Sequence, residues 1–314
     1  FDGHCDVLCK MLLQRSLTFD GEDAGLDVTL PRLKKAETFV QCFAIFIPES
    51  LCRDNFSSIL ESVDLFMTKI ISNKEVKWIR TSTDLENIHA RGGVGAMLTL
   101  EGVDGLEGKL SYLRVLKQLG VRNVGITWNH ANWAADGVME PRGGGLTLKG
   151  KQLIRACNEL HLVIDVSHLS ERGFWDVAEC TERPFIASHS NAYSVCKHPR
   201  NLKDDQILAI IQSNGRLGIT FVPQFLKNGS NANVDDVIRH IDYICALGGM
   251  NALCFGSDFD GIDAHVKGLE HPGCYDVLYN ELLKRYKKEW VERWMYGNWM
   301  SFYLEHLPKP DQAN

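Results

Sequence analysis

Residues 184–202, PFIASHSNAYSVCKHPRNL, decide how the rest of this chain is read. The first part, PFIAS, is apolar and flanked by polar residues, the mark of a short buried strand. It runs into His189 and then the small polar Ser190, Asn191 and Ala192. Upstream, residues 162–168 (LVIDVSH) repeat the arrangement and end in His168. Barrels of alternating strands and helices carry their chemistry at the C-terminal ends of buried parallel strands. Two strands that each end in Ser-His can therefore aim two imidazoles into one pocket. A single such histidine is ordinarily a satisfied core residue; two in the same position argue for a site.

Outward from this stretch, apolar β-prone segments alternate with amphipathic ones. The strand candidates are 1–8, 37–47, 94–100, 121–127, 162–167, 184–188, 217–222 and 252–258. Between them, 56–73 is predicted helical, with Ile59, Leu60, Val63, Phe66, Met67 and Ile70 on one face. A helix carrying Leu106, Leu110, Leu113 and Leu116 is predicted to end at Gly120. Further helices are predicted over 146–160, 171–179, 204–213, 234–247 and 275–305. The polar, Gly-containing run 19–26 reads as a loop over one mouth of the fold, and 141–145 (PRGGG) as a turn-rich loop. Strands alternating with helices argue for a parallel sheet, and this number of strands argues for closure. The predicted fold is an α/β (β/α)8 TIM-like barrel forming a single domain over 1–314. An open doubly wound sheet is the competing architecture, but no GxGxxG follows an early strand.

Composition narrows the function class. At 314 residues the chain is ordinary for one such barrel, usually about 250 residues plus insertions. Its 45% hydrophobic content supports a large core, and a net charge of −6 gives nucleic acid no basic face to bind. No uninterrupted apolar run reaches the roughly 18 residues of a membrane-spanning helix. Phe1-Asp2-Gly3-His4 starts directly in what reads as structure, so no signal peptide is expected. The 10 cysteines form no CxxC and no small-domain disulfide pattern. Cys42, Cys157, Cys245 and Cys254 sit in apolar segments and read as small buried hydrophobes, which suits a cytoplasmic protein.

The polar residues at the strand ends form a coherent set. His4 and Asp6 share a face of the first strand by its period of two, and Cys5 between them points away into packing. Glu101 ends the third strand candidate, His168 the fifth, His189 the sixth and Asp258 the eighth. Three imidazoles and three carboxylates in one mouth are costly to bury without a cation. Imidazole with carboxylate suits zinc, manganese or iron, with zinc the default for hydrolysis. Two metals bridged by one carboxylate would share the set. His161, His240, His265, His271 and His306 fall on helices or loops and read as surface histidines.

The pieces DGHCD (2–6), LEG (100–102), DVSH (165–168), SHSNAYSVCKHPRN (188–201) and FGSDFDG (255–261) resemble the membrane-type (renal) dipeptidases and their bacterial relatives in the amidohydrolase superfamily. The resemblance runs almost end to end, and the long SHS…RN piece is its most specific part. It implies a barrel holding two zinc ions, with His4 and Asp6 on one, His168 and His189 on the other, and Glu101 bridging. It further implies that Arg200 holds the substrate carboxylate and that Asp258 stands beside the water that attacks. One position departs. The family's vertebrate members carry a substrate-binding histidine directly after Leu-Thr, whereas here Ile126-Thr127 is followed by Trp128. In an extended chain residues 128 and 130 face the same side, which makes His130 the substrate-binding candidate, with Asn132 and Asp136 as alternative pocket residues.

The reading that follows is a zinc-dependent dipeptidase, with D-residues at the C-terminal position of the substrate left open. A metal-bridging hydroxide attacks the peptide carbonyl, Asp258 moves the proton to the leaving amine, and Arg200 binds the free carboxylate. Other hydrolases of this superfamily, such as lactonases, phosphotriesterases and deaminases, typically begin with His-x-His and often use a lysine at the fourth strand. This chain has His-x-Asp and no lysine near Thr127. A metal-binding protein without catalysis would have no need of Asp258. The expected partners are small dipeptides, with no nucleic acid, no membrane anchor after Leu307-Pro308-Lys309-Pro310, and room for a homodimer.

Overall fold

The computed structural model describes residues 1–21, 25–51, 55–229 and 231–310. Its centre is a curled parallel sheet whose strands follow one another as β1 (Thr38–Phe46), β3 (Gly93–Glu101), β4 (Val121–Gly125), β5 (Val163–Asp165), β6 (Ile186–Ala187), β7 (Arg216–Ile219) and β8 (Leu253–Phe255). A short strand β2 (Val76–Trp78), which the sequence reading did not include, pairs with the first half of β3 from Val76↔Val94 to Trp78↔Ala96. β4 then takes over the same edge from Leu98↔Val121 onward, and the register shifts at that handover.

The strand candidate over 1–8 is corrected. Only Asp2 and Cys5 bridge to neighbours, and Val7–Leu13 is already a helix. Asp2 nevertheless bridges to Gln41 of β1 and to Phe255 of β8, so the N-terminal segment ties the sheet's two edge strands together. Helices 56–73 and 275–305 are each interrupted: the first passes into a π-helix at Phe66–Ile71, and the second is three α-helices with a π-helix at Arg293–Gly297. Of the loop over 19–26, residues 22–24 lie outside the described residues.

Side-chain alternation sorts the sheet into two faces. On β1, Phe39, Phe43 and Ile45 join the large cluster under the helices, whereas Val40 and Cys42 join a second cluster. On β3, Val94, Ala96, Leu98 and Leu100 face the helices, while Met97 faces the second cluster with Val163, Ile186 and Cys254. The helix Asn298–His306 closes that inner cluster with Trp299, Phe302 and Tyr303, and the Trp299 indole donates to Phe255 O at 2.9 Å. Glu101 lies two pleats beyond Met97 on the same inner face, so the alternation that fills the floor with apolar groups delivers a carboxylate to the opposite end. Gly120 ends its helix as predicted: its φ of +91° is left-handed, and a Cβ there would come within 2.4 Å of the Trp78 ring.

Candidate metal centre

Six acidic and imidazole side chains meet where the strands end. Glu101 is the last residue of β3, while His168, His189 and Asp258 lie just past β5, β6 and β8. His4 and Asp6 come from the N-terminal segment, and Cys5 between them is buried in the apolar core. The Glu101 carboxylate divides its two oxygens. Oε2 lies 3.5 Å from His4 Nε2, and Oε1 lies 2.9 Å from His168 Nε2 and 3.6 Å from His189 Nε2. The His168 and His189 Nε2 atoms are 2.8 Å apart. His4 Nε2 also stands 3.5 Å from Asp6 Oδ2 and 3.7 Å from Asp258 Oδ1.

The surrounding residues aim these groups. His168 Nδ1 donates to Asn129 Oδ1 at 2.9 Å, which leaves Nε2 free to present its lone pair inward. His189 Nδ1 lies 2.8 Å from Ser188 Oγ, again turning Nε2 toward Glu101. Asp165 Oδ1 accepts the backbone N–H of both Ser167 and Ser188 at 3.0 Å, which locks the ends of β5 and β6 together. The buried Asp2 carboxylate does the same for His4 and Asp258: it accepts from His4 N, Ser257 N, Ser257 Oγ and Tyr275 Oη. His168 and Asp258 both have φ of +68°, a left-handed conformation that costs a non-glycine residue about 1–3 kcal/mol and that gathers at functional sites. Gly261 completes the cradle, because a Cβ there would lie 2.2 Å from Asp6 Oδ2 and 2.7 Å from Asp258 Oδ1.

Electrostatically the cluster asks for positive charge. Burial pushes the Asp258 carboxyl up to about 8, with Asp6 and Glu101 adding to the rise and His4 and Arg200 opposing it. Burial also works against the Glu101 carboxylate, yet His4 and His168 hold it well below the usual range. Burial lowers His168 to about 4 and holds His189 well below its ordinary value, keeping both imidazoles in the neutral form that ligates metal. His4 Nε2 and Asp6 Oδ1 are buried without a hydrogen-bond partner. Three overlapping donor sets each lie within 4.8 Å: His4, Asp6 and Glu101; Glu101, His168 and His189; His4, His189 and Asp258. Orphaned donors, neutral imidazoles and clustered carboxylates fit divalent cations of the zinc, manganese or iron class.

Arg200 is buried beside the cluster. One Nη2 donates to His189 O at 3.2 Å, and its Nε has no partner. Burial lowers its pKa to about 10, so it stays cationic at neutral pH. It lines, with His168, Tyr193, Trp175 and Leu169, a cavity of about 680 Å³. His130 is exposed and is absent from the donor sets, whereas Trp128 packs against His168 with ring centroids 6.2 Å apart. Asn132 and Asp136 shape the neighbouring loop: Asn132 caps Ala134 and Ala135, and Asp136 pairs with Arg142. Asn129 is the site residue that strand-end reasoning missed, because it lies past β4 in a loop without regular alternation. His240 corrects the surface assignment: it is fully buried, accepting from Ala192 N through Nδ1 and reaching Leu226 O through Nε2.

Comparison with known proteins agrees across the chain. The family model described as membrane dipeptidase (peptidase family M19) matches residues 1–305. The dipeptidase aclJ of Aspergillus oryzae is 30% identical over 310 residues, spanning 90% of this chain and 72% of its own. An uncharacterized protein of Acinetobacter calcoaceticus, from the PQQ-III 3′ region, is 29% identical over 277 residues, 78% of this chain and 88% of its own. Among solved structures, dipeptidase AC, a metallopeptidase of family M19, superposes with a TM-score of 0.88 at 27% identity, covering 98% of both chains. A metallopeptidase of Rhodobacter sphaeroides, liganded with a phosphinate mimic of L-Ala-D-Ala, superposes with a TM-score of 0.87 at 25% identity and the same coverage. No helix among the described residues is long and apolar enough to cross a membrane.

Proposed function

The chain belongs to the membrane dipeptidase family, peptidase family M19, and we propose that it hydrolyses dipeptides at a two-zinc centre bridged by Glu101. The observation that carries the two-ion reading is the division of the Glu101 oxygens between His4 on one side and His168 with His189 on the other. His4 and Asp6 would hold one ion, His168 and His189 the other, at the C-terminal mouth of a (β/α)8 barrel that forms one domain. Bound zinc would supply Lewis acidity toward the scissile carbonyl and the attacking water.

The chain's own residues do the rest. Asp258 takes the proton of the attacking water and returns it to the leaving amine; burial raises its carboxyl, and cations bound beside it would lower it again toward the ionised form that accepts a proton. Arg200, cationic and with an unpartnered Nε, holds the free C-terminal carboxylate and so confines substrates to short peptides. The wide cavity beside it leaves room for either configuration at the C-terminal residue, which is in keeping with the L-Ala-D-Ala mimic bound by the Rhodobacter sphaeroides protein.

The test is a hydrolysis screen of zinc-loaded protein on L,L- and L,D-dipeptides, their C-terminal amides, and simple esters and lactones. Free dipeptides are expected to be cleaved and their amides to be poor substrates. Hydrolysis of lactones with no action on dipeptides would overturn the reading, and equal rates on acids and amides would remove Arg200 from its role.

A further inference from the structure

Apart from the Arg200 cavity, a second and much smaller cavity opens on the cluster at Glu101. It is lined by Glu101, Phe46, Ile47, Ile59, Asp104 and Trp128, shares no lining residue with the first, and holds only about 10 Å³. Its walls follow from the register. Phe46 pairs directly with Glu101, so both side chains stand on the inner face at the end of the sheet. The Phe46 and Trp128 rings lie 5.1 Å apart, and Ile59 closes the back from the helix Phe56–Leu65, where it is 1% exposed. Trp128 also faces His168, and so forms the partition between the small cavity and the large one.

We infer that this small cavity is the seat of the substrate's N-terminal residue and restricts it to glycine or alanine, while the C-terminal residue is accepted with little regard to size. The inference rests on the dipeptidase reading above. With the C-terminal carboxylate on Arg200 and the scissile carbonyl at the cluster, the N-terminal residue needs a seat of its own on the cluster, and the small cavity lined by Glu101 offers one separate from the Arg200 cavity. There the space is that of about one water molecule, for which roughly 10–15 Å³ suffices, and a methyl group is of similar size. An isobutyl or benzyl side chain cannot enter unless Phe46, Ile59 or Trp128 gives way, and all three are packed aromatic or branched groups. Beside Arg200, a cavity of about 680 Å³ with Trp175 and Tyr193 in its wall accommodates an aromatic residue. With Glu101 committed to the cations, the Asp104 carboxylate gives the small cavity an acidic wall, which matches the free ammonium group of an N-terminal residue and disfavours an acylated one.

A matched pair of sequence isomers tests this directly. kcat/KM is measured for Ala-Phe and Phe-Ala on the zinc-loaded protein, with N-acetyl-Ala-Phe as a third substrate. Ala-Phe is expected to exceed Phe-Ala by at least about tenfold, since misfit of a few methylene equivalents in an apolar pocket is worth ~10–200-fold. N-acetyl-Ala-Phe is expected to be the poorest of the three. Ile59→Ala and Phe46→Ala should each raise the Phe-Ala to Ala-Phe ratio by enlarging the cavity. Equal rates on the two isomers, or a preference for Phe-Ala, overturn the inference and leave the dipeptidase reading standing. Hydrolysis of neither isomer overturns both. The wild-type ratio decides even if a cavity variant does not fold.

Discussion

Asp258 is the residue on which the proposed chemistry turns, and its surroundings set what a substitution can report. Its side chain keeps 15% of its exposure and stands 3.7 Å from His4 Nε2, farther from the imidazoles than the Glu101 oxygen that faces His168. Asp258→Asn retains shape and cannot carry a proton, so kcat should fall by at least about a hundredfold, within the range of general acid–base catalysis. Zinc content, read by elemental analysis, should stay close to wild type; loss of zinc with this substitution would make Asp258 a ligand instead. Asn129 acts one step further out. Removing its acceptor in Asn129→Ala frees the His168 ring to turn, and metal affinity measured by chelator competition should weaken by about 10–100-fold. Asn129→Asp, which keeps the acceptor, should restore it; unchanged affinity in both variants would reduce the Asn129–His168 contact to packing. At this scale the sequence was most informative. Glu101, His168, His189 and Asp258 were legible because imidazoles and carboxylates recurred at successive strand ends, and the structure brings them together with His4 and Asp6 from an N-terminal segment that is not a strand. Asn129 was not, since one amide in an irregular loop carries no periodic signal, and His130, the nearer guess, is exposed.

The elements explain which parts of the fold could be read. β5, β6 and β8 are shorter than their apolar runs because the last residues of each run leave the sheet to reach the site. The left-handed turns at His168 and Asp258 make that departure, and nothing in hydrophobic patterning announces them. The N-terminal run 1–8 has the apolar content of a strand, but Val7, Leu8, Met11 and Leu12 repeat at helical spacing and the helix wins from Val7 on. β2 is too short to stand out from its polar neighbours. His240 was readable in principle. It lies on the helix Val234–Ala246 between Val237 and Ile244, one of its buried positions, and its histidine identity masked that pattern. Burial lowers its pKa from 6.5 to about 4 while it supports the loop after His189. A base held neutral in the fold loses its stabilising share as the unfolded chain takes up the proton. That share is complete above about pH 6.5 and disappears toward pH 4, amounting to about 3 kcal/mol. His240→Gln, which keeps an acceptor and a donor but does not titrate, should abolish this part of the acid sensitivity. Denaturant midpoints of the two proteins compared from pH 7 to pH 4 will show it; parallel curves would contradict it.

Across the whole molecule the sheet separates two environments along one inner face. Its floor is sealed by Trp299, Phe302 and Tyr303 from the last helix, and its opposite end gathers carboxylates and imidazoles that no apolar core could tolerate uncompensated. The net charge of −6 and the even spread of apolar segments foretold an acidic α/β protein with a large core, but left the shape of the substrate seats to loops. The central claim is that this end of the sheet is a two-ion hydrolytic centre organised by Glu101. The most direct measurement is a zinc titration of chelator-treated protein, with bound metal and hydrolysis of Ala-Phe followed together in wild type and Glu101→Gln. In the wild type, activity should be absent without metal and reach its plateau at two zinc ions per chain, and the variant should bind less zinc and remain inactive. Full dipeptide hydrolysis by metal-free protein, or two tightly held zinc ions in the Glu101→Gln variant, would contradict the account.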